Sequence, residues 1–160
     1  MDKVYVGYVG GVHGLRGDLK IKCKFESPEA VFIKGQTILL NEEPHEITNA
    51  KFYKGFYLVT IDNMKDINLV EKYKGYDVYI DRSTLKLDKD YILSDLYDME
   101  IVENGKCYGK VKEILENGSQ KILVVDYKKS YMIPMVDAYV KNVDLNNRQI
   151  EVEGIEGLIL

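Results

Sequence analysis

The strongest constraint on the fold comes from Gly7–Phe25, GYVGGVHGLRGDLKIKCKF, where a glycine-dense segment leads into a strictly alternating one. From Asp18 onward polar and apolar residues alternate, a pattern typical of a β-strand with one buried face. The glycines permit positive φ angles or the close approach of another chain, so the path of this loop is specified. We therefore expect a first strand over Lys3–Val9, a glycine loop, and a second strand over Asp18–Phe25. The predicted core-facing residues of the second strand are Leu19, Ile21, Cys23 and Phe25.

The rest of the first half predicts further short strands and one helix. Lys54-Gly55 is a tight-turn pair between two β-rich runs. From Met64 to Tyr73 apolar residues recur every three positions, which indicates a short helix with Asp62 or Asn63 as its N-cap and Gly75 as its stop. The other predicted strands are Gln36–Leu40, Glu46–Phe52, Phe56–Ile61 and Tyr76–Ile80, with a turn over Asn41–Pro44.

The second half also predicts short strands joined by tight turns. Asn104-Gly105 and Asn117-Gly118 are hairpin turn pairs, and Pro134 must lie at a strand end or an edge because proline cannot donate to a sheet. We expect a helical turn over Asp137–Val143, and the apolar tail GIEGLIL should dock on a domain or a neighbour. The predicted strands are Met99–Val102, Tyr108–Leu115, Lys121–Tyr127, Tyr131–Met135 and Gln149–Val152.

Short strands, frequent turns and few helices predict a mainly β chain of two small β-barrel domains, with one short helix in the first. The boundary falls in the weakly periodic stretch 81–94. We expect a first barrel over 1–82, a linker over 83–91 and a second barrel over 92–160.

Composition and charge bear on location and partners. No run approaches the roughly 18 apolar residues of a membrane helix, and no signal peptide is evident, so we expect a cytoplasmic protein without membrane contact. The two cysteines, Cys23 and Cys107, are expected to be buried thiols. Residues 1–84 hold 12 basic and 12 acidic side chains, whereas residues 85–160 hold 10 and 14. The acidic second half favours a basic partner.

The sequence carries no recognisable catalytic, metal or cofactor motif. His13 and His45 have no second His, Cys or carboxylate at metal-ligand spacing. The segment GYVGGVHG lacks the Gly-Lys-Ser/Thr of a phosphate-binding loop and is followed by a strand rather than a helix. We therefore expect a non-enzymatic protein with no cofactor. An enzyme with an unrecognised site is kept as the weakest alternative.

The candidate contact residues of the first half are basic. Lys20, Lys22 and Lys24 form a stripe on the polar face of the second strand, headed by Arg16, with His13 in the preceding loop. The stripe is either simply solvated or meets phosphates, and His13 either shapes a turn or faces a partner. Only three arginines occur in the chain, which argues against dedicated base readout.

Several motifs in this order resemble the RimM family of bacterial ribosome maturation factors. Gly7–Ile21 resembles the family's N-terminal signature, and Asp90–Leu96 resembles the aromatic-aromatic-Trp-x-Asp-Leu opening of its PRC barrel. Here Tyr91, Ile92 and Leu93 stand at the three aromatic positions. Further motifs in the family's order are Gly109–Val111, Lys121–Val125, Ile133-Pro134, Val143-Asp144 and Glu156–Leu158.

The resemblance implies an N-terminal RimM barrel and a C-terminal PRC-type barrel that act in late assembly of the small (30S) subunit head and in 16S rRNA processing. It implies binding of a small-subunit head ribosomal protein, the nineteenth in bacterial naming, on the immature subunit. For that contact we expect Tyr91, Asp95, Leu96 and Tyr97. The basic residues identified above by their charge, His13, Arg16, Lys20, Lys22 and Lys24, are the candidates for a contact with 16S rRNA or the subunit, which stays an open alternative to a merely solvated face. The alternative is a stand-alone RNA-binding β-barrel.

Overall fold

A computed structural model of the chain describes residues 2–87 and 89–160, which form two compact units divided between residues 88 and 89. The predicted linker, 83–91, includes Asp88, which lies outside the described residues. Thr84 belongs with the first unit, since its carbonyl accepts a hydrogen bond from Gln36 Nε2 at 3.3 Å. Tyr91 packs against the core of the second unit.

The first unit is a closed six-stranded barrel. Antiparallel pairing of β1 with β6 closes it, and the strand order is β1-β2-β5-β4-β3-β6. In β2 and β6 alternate residues face inward, and the core of the barrel is built of aliphatic side chains such as Leu19, Ile21, Ile47 and Ile80. The strands are β1 (Lys3–His13), β2 (Asp18–Cys23), β3 (Thr37–Leu40), β4 (Glu43–Tyr53), β5 (Phe56–Ile61) and β6 (Asp77–Asp81).

The first strand is longer than predicted, and its buried residues do not follow simple alternation. It runs on to His13 through Gly10 and Gly11, so the loop contracts to a turn over residues 14–17. The register of β1 shifts where it pairs with β2 and with β6. As a result the buried valines are Val4, Val6 and Val9, and the spacing between the last two is three residues instead of two. Tyr8, which simple alternation would place with the valines, therefore faces solvent.

Two elements predicted in the first unit are present but have different bounds. The turn predicted over Asn41–Pro44 is confined to Asn41 and Glu42, both with positive φ, and Pro44 lies within β4. The helix α1 (Ile67–Val70) begins later than expected: its N-cap is Asp66, whose Oδ1 accepts from the Asn68 N–H at 2.9 Å. A 3₁₀ turn over Glu71–Tyr73 continues it.

The second unit is a six-stranded sheet in the order β10-β9-β8-β7-β12-β11. The pairing of β12 with β7 is parallel and the other neighbours are antiparallel. Its core includes Leu96, Met99, Leu123 and Ile133. The strands are β7 (Glu100–Glu103), β8 (Lys106–Asn117), β9 (Gln120–Asp126), β10 (Tyr131–Pro134), β11 (Val140–Asp144) and β12 (Gln149–Val152).

The predicted helical turn over Asp137–Val143 is confirmed in its first part only. The Val140 N–H donates to the Val136 carbonyl at 2.9 Å, which closes one helical turn, but Val140–Asp144 is strand β11, paired with β12. The tail docks as expected: α2 (Glu156–Ile159) packs near β10, with Ile155 buried. The expectation of two buried thiols fails, since Cys23 is half-buried and Cys107 is exposed.

The predicted fold class, mainly β with two small units and a short helix in the first, is confirmed. Within the described residues no helix has the length and apolar character that would let it cross a bilayer.

Candidate functional site

The segment 91–97 at the start of the second unit holds the residues expected to bind a protein. Leu93–Leu96 forms a 3₁₀ turn. The Asp95 carboxylate accepts a hydrogen bond from the Ile92 N–H at 2.9 Å, and the Asp95 N–H donates to the Ile92 carbonyl at 3.0 Å. These two bonds close the turn on itself, and the buried side chains of Ile92 and Leu96 anchor it in the core.

Burial separates the four expected contact residues into two roles. Leu96 is fully buried, so its side chain supports the turn from within the core and is not available to a partner. Asp95 is half-buried, and one of its carboxylate oxygens is used inside the turn. Tyr97 is 41% exposed and Tyr91 is half-buried, so these two rings are the accessible part of the set.

Arg148, far away in sequence, fixes the end of this turn. Its Nη1 donates to the Asp95 carbonyl at 2.8 Å and its Nη2 to the Tyr97 carbonyl at 2.7 Å. A planar guanidinium is suited to two such bonds at once. The sequence gives no local signal for this contact, because the partners lie more than fifty positions apart.

A tight turn before β12 places Arg148 next to the segment 91–97. The Asp144 carboxylate accepts hydrogen bonds from the Asn147 side chain at 2.8 Å and from the Asn147 N–H at 3.1 Å. These bonds hold the pKa of Asp144 below its usual value. Arg148 itself has a φ of 56°, a left-handed conformation that turns the chain into the strand.

Tyr91 lies beside a shallow groove of about 310 Å³. Its apolar wall includes Val136, which is 43% exposed, and the ammonium of Lys89 lies 5.7 Å from the centre of the Tyr91 ring. Tyr97 is not among the described residues that line the groove, so the two tyrosines are separate features of the same segment. The remaining lining residues are Asp90, Met135, Asp137, Val140, Lys141, Asn142 and Val143.

The five basic candidates of the first unit occupy different places. Lys20 and Lys22 face outward from β2, as predicted. Lys24 is exposed beyond the end of that strand, and its backbone N–H donates to the Val6 carbonyl at 2.7 Å. Arg16 is exposed in the turn before β2, beside Asp18 and Lys65. His13 is exposed at the end of β1.

Aromatic rings lie among these cations, which the stripe alone did not predict. The Lys20 ammonium lies 4.4 Å from the centre of the Phe56 ring, and that of Lys22 lies 5.6 Å from it. The His13 ring lies 5.6 Å from the ring of Tyr53. The signal was present in the sequence, because a tight turn at Lys54-Gly55 pairs Tyr53 with Phe56 on one face of the hairpin.

The second histidine is buried and paired. His45 Nδ1 lies 2.5 Å from Asp62 Oδ2, and its ring packs edge-on against Tyr73. The buried Nε2 has no hydrogen-bond partner among the described residues; Glu43 Oε2 lies 3.7 Å away. In the part of the chain that the structure describes, no three His, Cys, Asp or Glu side chains are grouped to hold a metal ion.

Two family models match consecutive parts of the chain. Residues 4–85 match the RimM N-terminal domain, and residues 93–158 match the RimM PRC barrel domain. Each match covers most of one compact unit, and the 3₁₀ turn with Tyr97 falls inside the second match.

Curated relatives match over nearly the full length. Ribosome maturation factor RimM of Leuconostoc mesenteroides is 33% identical over 164 residues, covering 96% of this chain and 94% of the relative. The protein of the same name from a species of Exiguobacterium is 32% identical over 168 residues, covering 99% and 98%. The crystal structure of a RimM protein from Pseudomonas aeruginosa is 19% identical with a TM-score of 0.46, covering 96% of this chain and 98% of that one.

Proposed function

This chain belongs to the RimM family of ribosome maturation factors, and we propose that it is an accessory factor for late assembly of the small (30S) subunit head and processing of its 16S rRNA. It acts in the cytoplasm by binding a small-subunit head ribosomal protein, the nineteenth in bacterial naming, on the immature particle. It catalyses no reaction and uses no cofactor. Binding the immature particle more tightly than the finished one is sufficient to shift the assembly equilibrium.

The observation that carries this proposal is the fixed turn 91–97. Its backbone is held by Asp95 and by the Arg148 guanidinium, so Tyr97 is displayed without the loss of freedom that a mobile loop would suffer on binding. Tyrosine combines a large apolar ring with a polar tip and is enriched at protein interfaces. Tyr91 and the groove beside it extend the surface.

Charge supports a basic partner for this unit. Residues 85–160 carry four more acidic than basic side chains, since they hold 14 of the former and 10 of the latter. A ribosomal protein that binds rRNA is itself rich in basic residues, so long-range attraction would speed the encounter.

The test is binding of the purified ribosomal protein to the full chain. We expect Tyr97→Ala to weaken binding about tenfold, with Tyr91→Ala weakening it less. Tyr5→Ala is the matched control, because Tyr5 is also 41% exposed but lies on the first unit. Equal binding by all three variants and the unmodified chain would show that the turn is not the contact surface.

Particle selectivity tests the wider role. We expect the chain to co-sediment with immature small subunits and to be released from mature ones. Equal recovery with both particles would refute a role in assembly, whatever the affinity for the isolated ribosomal protein.

A further inference from the structure

The outer surface of the first barrel carries a cluster of cations and aromatic rings that the proposed protein contact does not use. The cluster comprises Tyr8, Lys20, Lys22, Tyr53, Lys54 and Phe56, and we call it the lysine–aromatic face. We propose that this face binds unpaired RNA, stacking bases on its rings and pairing phosphates with its ammonium groups. The proposal rests on the proposed function for its choice of ligand, because an immature ribosomal particle exposes unpaired rRNA.

Strand pairing places these side chains on one surface. Tyr8 of β1 lies opposite Lys22 of β2, and Tyr53 lies opposite Phe56 across the β4–β5 turn. Directly opposed residues of antiparallel strands point to the same face. The Lys20 and Lys22 ammoniums both lie near the Phe56 ring, which joins the two pairs into one patch.

Two of the three rings are exposed, and the third, Phe56, is half-buried. Tyr8 is 37% exposed and Tyr53 is 41% exposed. Gly10 lies close to both Tyr8 and Phe56: a Cβ there would be 3.5 Å from Phe56 Cε1 and 3.7 Å from Tyr8 Cε2. Because this position has no side chain, nothing from Gly10 covers either ring.

Lysines accompany each part of the face. The Lys54 ammonium lies 5.2 Å from the centre of the Tyr53 ring, and Lys22 also reaches the Gly55 carbonyl, at 3.5 Å. Aromatic rings combined with a positively charged surface are the arrangement by which proteins bind single-stranded nucleic acid without sequence preference. Carboxylates mark its edges: Asp18, which accepts from Thr60 Oγ1 at 2.8 Å, and Asp77, paired opposite Tyr8.

The composition of the face favours single-stranded RNA over two other ligands. A duplex could meet the lysines but hides its base faces, and it would leave the rings without a role. An acidic protein segment could neutralise the lysines but offers no flat ring systems to Tyr53 and Phe56. Three phosphate contacts predict a log–log salt slope of about −2 for a single strand.

The experiment measures binding of the full chain to a labelled eight-nucleotide single strand and to the matching RNA duplex. We expect tighter binding of the single strand. Tyr53→Ala should weaken single-strand binding about tenfold and leave duplex binding unchanged, whereas the double variant Lys20→Gln, Lys22→Gln should weaken both. None of the replaced side chains belongs to the barrel core, and we expect the thermal unfolding of both variants to match that of the unmodified chain.

The second unit provides a matched control. Lys106 and Lys128 also lie over tyrosine rings, at 5.3 Å from Tyr108 and 5.8 Å from Tyr127. The double variant Lys106→Gln, Lys128→Gln removes the same charge in the same local setting, and we expect it to bind RNA as the unmodified chain does. A loss equal to that of Lys20→Gln, Lys22→Gln would mean that only net charge matters and would overturn the proposal.

Two further outcomes would also overturn it. One is an unchanged single-strand affinity in Tyr53→Ala, and the other is competition by polyglutamate as effective as that by unlabelled RNA, which would indicate an acidic protein ligand. Binding of the ribosomal protein is measured on the same variants and should not change. A chain that binds RNA but not the ribosomal protein would refute the proposed function and leave the proposal for the lysine–aromatic face intact. A chain that binds the ribosomal protein but not single-stranded RNA would refute the proposal for this face and leave the proposed function intact.

Discussion

Arg148 holds Tyr97 by its main chain: the Nη2 group donates to the Tyr97 carbonyl at 2.7 Å, while Nη1 donates to the Asp95 carbonyl at 2.8 Å. The contact leaves the Tyr97 ring free to meet a partner. Arg148 is therefore a positioning residue for the turn 91–97, and its role can be separated from that of the ring that it positions.

Replacing Arg148 tests that role. In Arg148→Lys a single ammonium cannot reproduce both bonds of the planar guanidinium, so we expect the affinity for the ribosomal protein to fall about fivefold to tenfold. Stability should fall by about 1 kcal/mol, since the bonds are made at the surface. Arg16→Lys, in an exposed turn of the first unit, is the control. If Arg148→Lys lowers the melting temperature without affecting affinity, the residue is structural only.

The two cysteines should differ in reactivity. Burial raises the pKa of the Cys23 thiol, whereas Cys107 is exposed on β8. A raised pKa reduces the thiolate fraction at a given pH, and the thiolate is the reactive form. At pH 8 we expect one fast and one slow thiol with a maleimide or disulfide reagent, and the slow rate should rise more steeply as the pH increases.

Single substitutions assign the two phases. Cys107→Ser should abolish the fast phase and keep the slow one, and Cys23→Ser should do the opposite. Faster labelling of Cys107→Ser than of Cys23→Ser would contradict the structure of β2 and β8.

Local turn chemistry was the part of the fold most accessible from the sequence. Lys54-Gly55 and Asn104-Gly105 form the expected turns, each with positive φ at both residues. Such turns match the twist of the strands that they join, so two residues suffice to predict a hairpin. Strand alternation likewise placed Leu19 and Ile21 in the core and Lys20 and Lys22 outside.

Features that depend on contacts between distant residues could not be predicted from the sequence. Tyr8 faces solvent because the β1 register shifts where it pairs with its neighbours, and a register shift leaves no mark in the periodicity of one strand. Leu96 was expected at an interface but is fully buried, because the turn that carries it is pinned to the core. Arg148 reaches a segment that the sequence places in another part of the chain.

The pair formed by His45 and Asp62 should contribute to folding stability. The His45 side chain is 8% exposed, its Nδ1 lies within hydrogen-bond distance of Asp62, and its ring packs on Tyr73. His45→Ala removes both contacts, and we expect the free energy of unfolding to fall by about 2 kcal/mol. His13→Ala, at an exposed position, should change it by less than about 0.5 kcal/mol. Denaturant unfolding with equal losses in the two variants would show that the buried pair is not stabilising.

Gly14 and Gly17, at the two ends of the turn before β2, allow conformational strain to be separated from steric clash. Both have positive φ, 72° and 75°, so alanine at either position must adopt a left-handed conformation at a cost of about 1 kcal/mol. At Gly14 a Cβ would meet nothing within 4 Å, whereas at Gly17 it would lie 2.7 Å from Val70 Cγ2 and 3.0 Å from the Asp66 carbonyl oxygen. The second contact is with backbone and cannot be relieved by a rotamer change.

We therefore expect Gly14→Ala to lower the free energy of unfolding by about 1 kcal/mol and Gly17→Ala by about 3 kcal/mol. Similar losses would mean that α1 shifts freely away from the turn, in which case the packing of α1 against β2 does not fix the position of Arg16.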